Sequence, residues 1–386
     1  MLHVLLHTNE CYTLTLPQFC KFVFNILKAG IRSYASFTVM VIKRCVIGVF
    51  LVFIFGDSYG QVLNLSSSHP IKDALFLHNS SISNNSLQDC SWRHVNEKNA
   101  CPDPDINFIL YTEPDNKEYV ESYKTDWLRQ SSWNDTKENI IIIHGYAGGD
   151  DTLPISVLRD AYINNGSYNV WILDWGRLSQ PPCYSASVHN MRSVAKCAAD
   201  FLTSMRAGGL LPERTTCVGH SLGAHICGLI SKYVLFRLHR IIGLDPARPL
   251  VPVGARLSSG DAAAVHALHT NAGNYGEMGK SGHVDFCING GRVQPYCKNT
   301  DNEALCSHVW SICYLAESIN TQIAKKAEPC SRRCPTGPRP GHRMGIPLLM
   351  GQFTPLTSTG SYCINDDHPP FCPRYTGGPG DRRCCI

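Results

Sequence analysis

The run Arg214-Thr-Thr-Cys-Val-Gly-His-Ser-Leu-Gly-Ala-His225 leaves few ways of folding. Thr215 to Val218 is β-branched and apolar, and Leu222 to Tyr233 favours a helix. Between them Gly219-His220-Ser221-Leu222-Gly223 demands a tight turn. Glycines two residues on either side of Ser221 leave space there, because a Cβ at either place would strike the strand or the helix. A serine hydroxyl is a poor nucleophile until a base takes its proton and fixed donors receive the oxyanion, so a serine put to that use has to project from such a turn. The five-residue pattern alone is weak; its position between strand and helix makes Ser221 the candidate nucleophile. The bland reading is a structural strand-to-helix turn.

The surrounding chain repeats that alternation. Asn107 to Thr112 reads as a first strand. Ile140-Ile-Ile-Ile143 is a continuous apolar run of the kind covered on both faces of a parallel sheet, and it ends in the glycine-bearing turn His144-Gly145-Tyr146. A helix is expected over Pro154 to Asn164 and a second buried strand over Asn169 to Leu173, closed by Asp174. Val188 to Arg206 carries Met191, Val194, Ala198, Phe201, Leu202 and Met205 at spacings of three and four, one face of a helix. After the elbow come strands at Arg240 to Leu244, ending in Asp245-Pro246, and at Ala262 to His269. Strands alternating with helices give an α/β fold with a mostly parallel central sheet flanked by helices, and sites in such folds gather at the carboxyl ends of the strands.

Three aspartates compete to orient a base: Asp174, Asp245 and Asp285. Asp245 follows the strand immediately after the elbow helix, which produces the order Ser, Asp, His of α/β-hydrolases if a histidine lies further on. Asp174 is expected to cap its turn and Asp285 to hydrogen-bond a loop. Of the histidines downstream, His266 and His269 sit in a strand and read as structural; His283, His342 and His368 are further candidates. His308, in Cys306-Ser-His-Val-Trp310 at the start of a helical run, is the preferred base. The oxyanion donors would be the Leu222 N–H, next to the nucleophile, and the Tyr146 N–H in the turn after Ile143. His144 is expected to lock that turn.

Composition bears on compartment. Met40-Val-Ile-Lys-Arg44, the apolar run Cys45 to Gly56 and Ser58-Tyr59-Gly60 form a secretory signal peptide over 40–60, too short to span a membrane. Residues 1–39 are then a mis-assigned upstream segment with Met40 as the initiator, or an N-terminal extension. Of 19 cysteines, Cys11, Cys20 and Cys45 precede the expected cleavage, leaving 16, an even number fit for disulfides in an oxidising compartment. Cys217 and Cys227 are read as free core residues. Glycosylation acceptors occur at Asn64, Asn79, Asn84, Asn134 and Asn165. Residues 61–100, rich in Ser and Asn, read as a flexible glycosylated leader, in which Cys90 and Cys101 pair locally or tie it to the domain spanning 101–386. Five of the 35 Lys+Arg and two of the 31 Asp+Glu precede Gly60, leaving 30 against 29. That near-neutral balance points to no nucleic-acid partner.

Taken together, His144-Gly-Tyr146, Gly219-His-Ser-Leu-Gly-Ala-His225, Ile242-Gly-Leu-Asp-Pro-Ala-Arg-Pro249, the His283-Val-Asp-Phe to Gln-Pro-Tyr-Cys297 stretch and Cys306-Ser-His308 resemble the pancreatic lipase family, in the form of insect neutral lipases and phospholipases of the A1 type. The resemblance runs from about Asn107 to Phe371. It implies an α/β-hydrolase fold, with Ser221 as nucleophile, Asp245 as acid, His308 as base, Tyr146 and Leu222 as oxyanion donors, and a lid over Lys298 to Leu305 closed by a Cys297–Cys306 bridge. With 78 residues after His308, no C-terminal β-sandwich domain is expected. The implied activity is hydrolysis of a lipid ester at a membrane, micelle or droplet surface by a secreted enzyme, with no metal, organic cofactor or transmembrane anchor. The short polar lid favours phospholipid or polar glycerolipid cleaved at the sn-1 ester; the alternatives are a neutral triacylglycerol lipase and a non-catalytic lipid-carrying or yolk-type protein on the same fold.

Overall fold

The computed structural model describes residues 2–5, 11–14, 90–94, 101–114, 116–120, 126–330, 334 and 345–366. The chain divides into two compact units, Met1–Ser67 and Ser68–Ile386. In the first, strands β1 (Leu2–Leu5) and β2 (Cys11–Leu14) pair as an antiparallel hairpin, an element that the irregular pattern of the first 39 residues did not announce. The expected signal peptide and Asn64, Asn79 and Asn84 lie outside the described residues.

The second unit is built on one sheet of eleven strands. Its centre is parallel: β5 (Glu138–Ile143), β6 (Tyr168–Asp174), β7 (Thr215–His220), β8 (Arg240–Leu244), β9 (Ala264–His269), β10 (Val284–Ile288) and β13 (Gly360–Ile364). Antiparallel strands close both edges, β3 (Asn107–Glu113) with β4 (Asn116–Tyr119) beside β6, and β11 (Lys326–Pro329) with β12 (Leu348–Leu349) beside β13. Helices cover both faces: α2 (Leu153–Asn165) and α5 (Glu303–Ser318) on one, α3 (Tyr184–Ala207) and α4 (Leu222–Ile230) on the other. A short helix, α1 (Trp127–Gln130), precedes β5. This is the α/β-hydrolase arrangement read from the sequence. Among the described residues no helix is long and apolar enough to cross a membrane.

The isoleucine run shows why a central strand can be apolar on successive residues. Ile141 and Ile143 point into the core under α3 and α4, whereas Ile140 and Ile142 point into the core under α2 and α5, and all four are fully buried. Trp171 and Leu173 against Val170 and Ile172 repeat the division on β6. Aromatic stacking adds to the first core, where the Phe108 and Phe201 rings lie 4.0 Å apart.

The strand order β8-β7-β5-β6 means that the chain leaves β5 to one side to make β6 and returns to the other side to make β7. Loops following β5 and β7 therefore diverge and open a crevice at the carboxyl ends of the two strands. Ser221 and Tyr146 sit on those two loops.

Disulfides fix the periphery to this frame. Cys90 and Cys101 do not pair with one another: Cys90 is bridged to Cys183 and Cys101 to Cys197, so the end of the leader lies on α3. Arg93 strengthens the attachment, its guanidinium bonding Asp103 and Asp105 and its N–H donating to Asn190 Oδ1. Further bridges join Cys287 to Cys334 and Cys330 to Cys363, and Cys313 is also disulfide-bonded. Cys217 and Cys227 correct the sequence reading. They are not free; they are bridged across the elbow from β7 to α4. Periodicity made each a buried apolar position, which both are, but could not show that the turn folds the helix back over its own strand.

Candidate active site

Ser221 directly follows β7 with φ 57° and ψ −119°, an uncommon conformation for a residue carrying a side chain. The neighbouring glycines make that turn feasible. A Cβ on Gly219 would lie 2.3 Å from the Gly223 carbonyl oxygen, and one on Gly223 would lie 2.1 Å from that of Ile143. Helix α4 is thus pressed against both its own strand and β5. The elbow helix ends at Ile230 rather than Tyr233, Ser231 to Tyr233 turning away in tighter hydrogen-bonded turns.

Asp245 follows β8 with φ 41° and is wholly buried. Its Oδ1 accepts from the N–H groups of Thr270 (2.9 Å) and Asn271 (3.0 Å), and its Oδ2 lies 2.6 Å from His308 Nδ1. Gly276 is packed so closely that a Cβ there would stand 2.4 Å from the carboxylate. His308 comes from the second turn of α5, whose start is capped by Asn302 accepting from the Leu305 N–H. With Nδ1–H donating to Asp245, the imidazole carries its free lone pair on Nε2.

The two competing aspartates are occupied elsewhere. Asp174 accepts from the Gly176 N–H (2.9 Å) and meets His144 Nε2 at 3.0 Å. Burial alone would raise its pKa, but the His144 imidazole and the Gly176 N–H outweigh burial and hold the carboxyl below the ordinary value. Asp285 accepts from His269 Nε2 (2.9 Å) and from the Ser281 N–H (2.7 Å), the loop role expected of it. His266 and His269 are buried inside the sheet, away from the cleft.

His144 is fully buried, with Nδ1 2.8 Å from the Gly145 carbonyl and Nε2 shared by Asp174 and the Trp175 N–H. The turn Gly145-Tyr146-Ala147 is so held, with the Ala147 N–H donating to the Ser179 carbonyl (2.8 Å). A Cβ on Gly145 would meet Ser221 Cβ at 2.7 Å, so the turn passes directly beside the serine. Leu222 opens α4, where first-turn N–H groups have no partner within the helix.

Ser221, His308, Tyr146, Gly145, His144 and His220 line one cleft of about 440 Å³, together with Pro154, Ile155, Pro181, Tyr184, Ala247, Tyr275, Leu305, Val309 and Ile312. Asp245 lies behind His308. The apolar wall was not foreseen. Tyr184 arrives from the start of α3, and its hydroxyl donates to the Pro249 carbonyl (2.9 Å) while its ring meets Tyr146 edge-on at 5.1 Å. His220 is the second unforeseen neighbour, although it stands inside the elbow motif. Its ring is 4.6 Å from that of His308 and its Nε2 faces the His308 carbonyl at 3.3 Å. Burial, then the nearby His308, push its pKa well below the ordinary value, so it is a neutral spacer.

Cys297 and Cys306 are bridged. The segment they enclose is smaller as a loop than its eight residues suggest, because Glu303 to Leu305 already belong to α5 and only Lys298 to Asn302 are irregular. Asn134 and Asn165 are exposed.

A family model described as Lipase matches residues 76–334. Over 233 residues the chain is 33% identical to lipase member H of Rattus norvegicus, covering 58% of this chain and 51% of that one. It is 30% identical over 258 residues to pancreatic lipase-related protein 2 of the same organism, covering 59% and 54%. It is also 30% identical over 236 residues to phospholipase A1 member A of Bos taurus, covering 58% and 51%. The chain thus spans about half the length of these curated relatives.

Proposed function

The chain belongs to the lipase family, and from that premise we propose that it is a secreted serine hydrolase cleaving a carboxylic ester of a lipid through an acyl-enzyme on Ser221. One observation carries the reading: a strained serine, a histidine paired at 2.6 Å with a buried aspartate, and the turn after β5 meet in a single apolar cleft. His308 Nε2 takes the Ser221 proton as Oγ attacks the ester carbonyl, and Asp245 stabilises the imidazolium. The Tyr146 and Leu222 N–H groups receive the oxyanion. His308 then hands the proton to the departing alcohol, and later takes one from the water that releases the fatty acid. The cleft walls, Tyr184, Ile155, Val309 and Ile312 among them, suit an acyl chain.

Relatives named for phospholipase A1 and for pancreatic lipase match at equal identity, so their names do not separate substrates. Lid size supports phospholipid or another polar glycerolipid, cleaved at sn-1. Five irregular residues, Lys298-Asn-Thr-Asp-Asn302, all polar, offer little apolar surface for a droplet and leave the mouth hospitable to a charged head group. The disulfides support an oxidising compartment.

The test uses protein recovered from the medium of a secreting eukaryotic host. Wild type is expected to be labelled by an organophosphonate and to release sn-1 fatty acid from phosphatidylcholine in preference to trioleoylglycerol. Ser221→Ala should lose both labelling and turnover while melting within about 1 °C of wild type, because only one hydroxyl is removed. Absence of labelling in wild type would return the chain to a lipid-carrying role; a preference for trioleoylglycerol would make it a neutral lipase.

A further inference from the structure

Helices α2 and α5 pack side by side, and their two ends do different things. Pro154 and Ile155 at the start of α2, with His308 and Ile312 along the first part and middle of α5, border the catalytic cleft. At their C-terminal ends a second hollow of about 310 Å³ opens between them, floored by Ala161, Ala316 and Ile319 and rimmed by Asn164, Asn165 and Asn320. The floor is buried and apolar; the rim is exposed. Asn165 is the last residue of α2 and begins the tripeptide Asn165-Gly166-Ser167, a glycosylation acceptor. Gly166 caps the helix in the left-handed conformation at φ 82° and turns the chain away, leaving the Asn165 side chain at the edge of the hollow.

We propose that this hollow is the seat of the first N-acetylglucosamine of an N-linked glycan on Asn165, a sugar that holds α2 and α5 together at their C-terminal ends, beyond the catalytic cleft. The attachment point lines the cavity, so the occupant is tethered at its rim and binds without loss of translational freedom. Its chemistry fits both surfaces. The acetamide methyl and the C–H face of the pyranose cover Ala161, Ala316 and Ile319, while the acetamide N–H and sugar hydroxyls face the polar rim residues Asn164, Asn320 and Thr321. Asn134 is unlike it, lying in an exposed turn where Oδ1 accepts from the N–H and hydroxyl of Thr136.

The inference rests on the secreted reading, and Asn134 separates the two. Protein from a secreting eukaryotic host is mapped by glycopeptide mass spectrometry, then treated natively with a peptide-N-glycosidase. Expected are glycans at both sites, slower release from Asn165 than from Asn134 by at least tenfold, and equal release after denaturation. Ser167→Ala, which keeps Asn165 but removes the acceptor, should lower Tm by about 2–4 °C; Thr136→Ala should not. Trimming to a single N-acetylglucosamine should retain the stability that Ser167→Ala loses. A glycan on Asn134 alone, or one on Asn165 released as fast as that on Asn134 with no change in Tm, overturns the seat. Absence of glycan from both overturns it together with the secreted reading.

Discussion

A carboxylate as deeply buried as that of Asp245 is tolerable only because every side of it is met. Thr270 and Asn271 supply N–H donors to one oxygen, His308 meets the other, and the bare Cα of Gly276 closes the remaining approach. Asp245→Asn would keep the shape and, with its oxygen still accepting from the Thr270 and Asn271 N–H groups, turn an amide N–H₂ toward His308 Nδ1, favouring the wrong tautomer. The expected loss is about 10⁴-fold in kcat, with Tm changed far less than activity. Asp285→Asn is the control. It disturbs the His269 pair inside the sheet, so it should lower stability and leave kcat within about tenfold. A larger kcat loss for Asp285→Asn than for Asp245→Asn would reassign the acid. The sequence distinguished these aspartates by chain order, since Asp245 alone directly follows the strand after the elbow helix. It could not show Gly276 guarding the carboxylate, because that contact joins residues 31 apart through two loops.

At the scale of elements, what the pattern revealed was whatever is apolar on both faces. The strands around Ile140 to Ile143, Val170 to Leu173 and Ile241 to Leu244 stand within a residue or two of the expected bounds, because burial by helices on either side favours apolar residues on both faces, with Asn139 and Asn169 buried where they hydrogen-bond each other. Apart from β3, the edges were silent. β4 is polar, β11 and β12 are short, and β13 joins β10 in parallel from a segment rich in Ser and Gly, so that only long-range pairing defines it. The elbow bridge was silent for a related reason: its cysteines are ten residues apart, and only the reversal at Ser221 brings them together. Closing so short a loop removes conformational freedom from the unfolded chain worth about 3 kcal/mol. Replacing Cys217 and Cys227 together by Ala should therefore cost about that much in unfolding free energy, measured by denaturant titration of the oxidised protein. Labelling of Ser221 by the phosphonate should slow as well, because β7 and α4 are then free to splay at the turn. Unchanged stability together with an unchanged labelling rate would show that the tight glycine packing at Gly219 and Gly223 suffices to hold the elbow.

For the whole molecule, the sheet's reversal beside β5 determines where the cleft opens, and the disulfides determine how freely that opening can change. The segment between Cys297 and Cys306 is bridged at its ends, is helical over its last part through Leu305, and contributes only Leu305 to the cleft. A lid that hides a site in water has to be long enough to lie across it and apolar enough to prefer the covered position. Lys298 to Asn302 meets neither condition. On the proposed mechanism, with His308 and Ser221 both lining the cleft, no lid opening is called for before a dissolved ester reacts. The expectation is a rate on a short-chain glyceride that rises smoothly through the substrate's solubility limit, with no lag and less than about a threefold change in slope, as against the gating that a closing loop imposes. Cys297→Ser with Cys306→Ser, which frees the segment, should lower Tm without creating such a break. A sharp rise in rate at the solubility limit of the wild-type enzyme, abolished in that double variant, would show that the bridged segment does gate the cleft and that its shortness conceals a larger motion of α5.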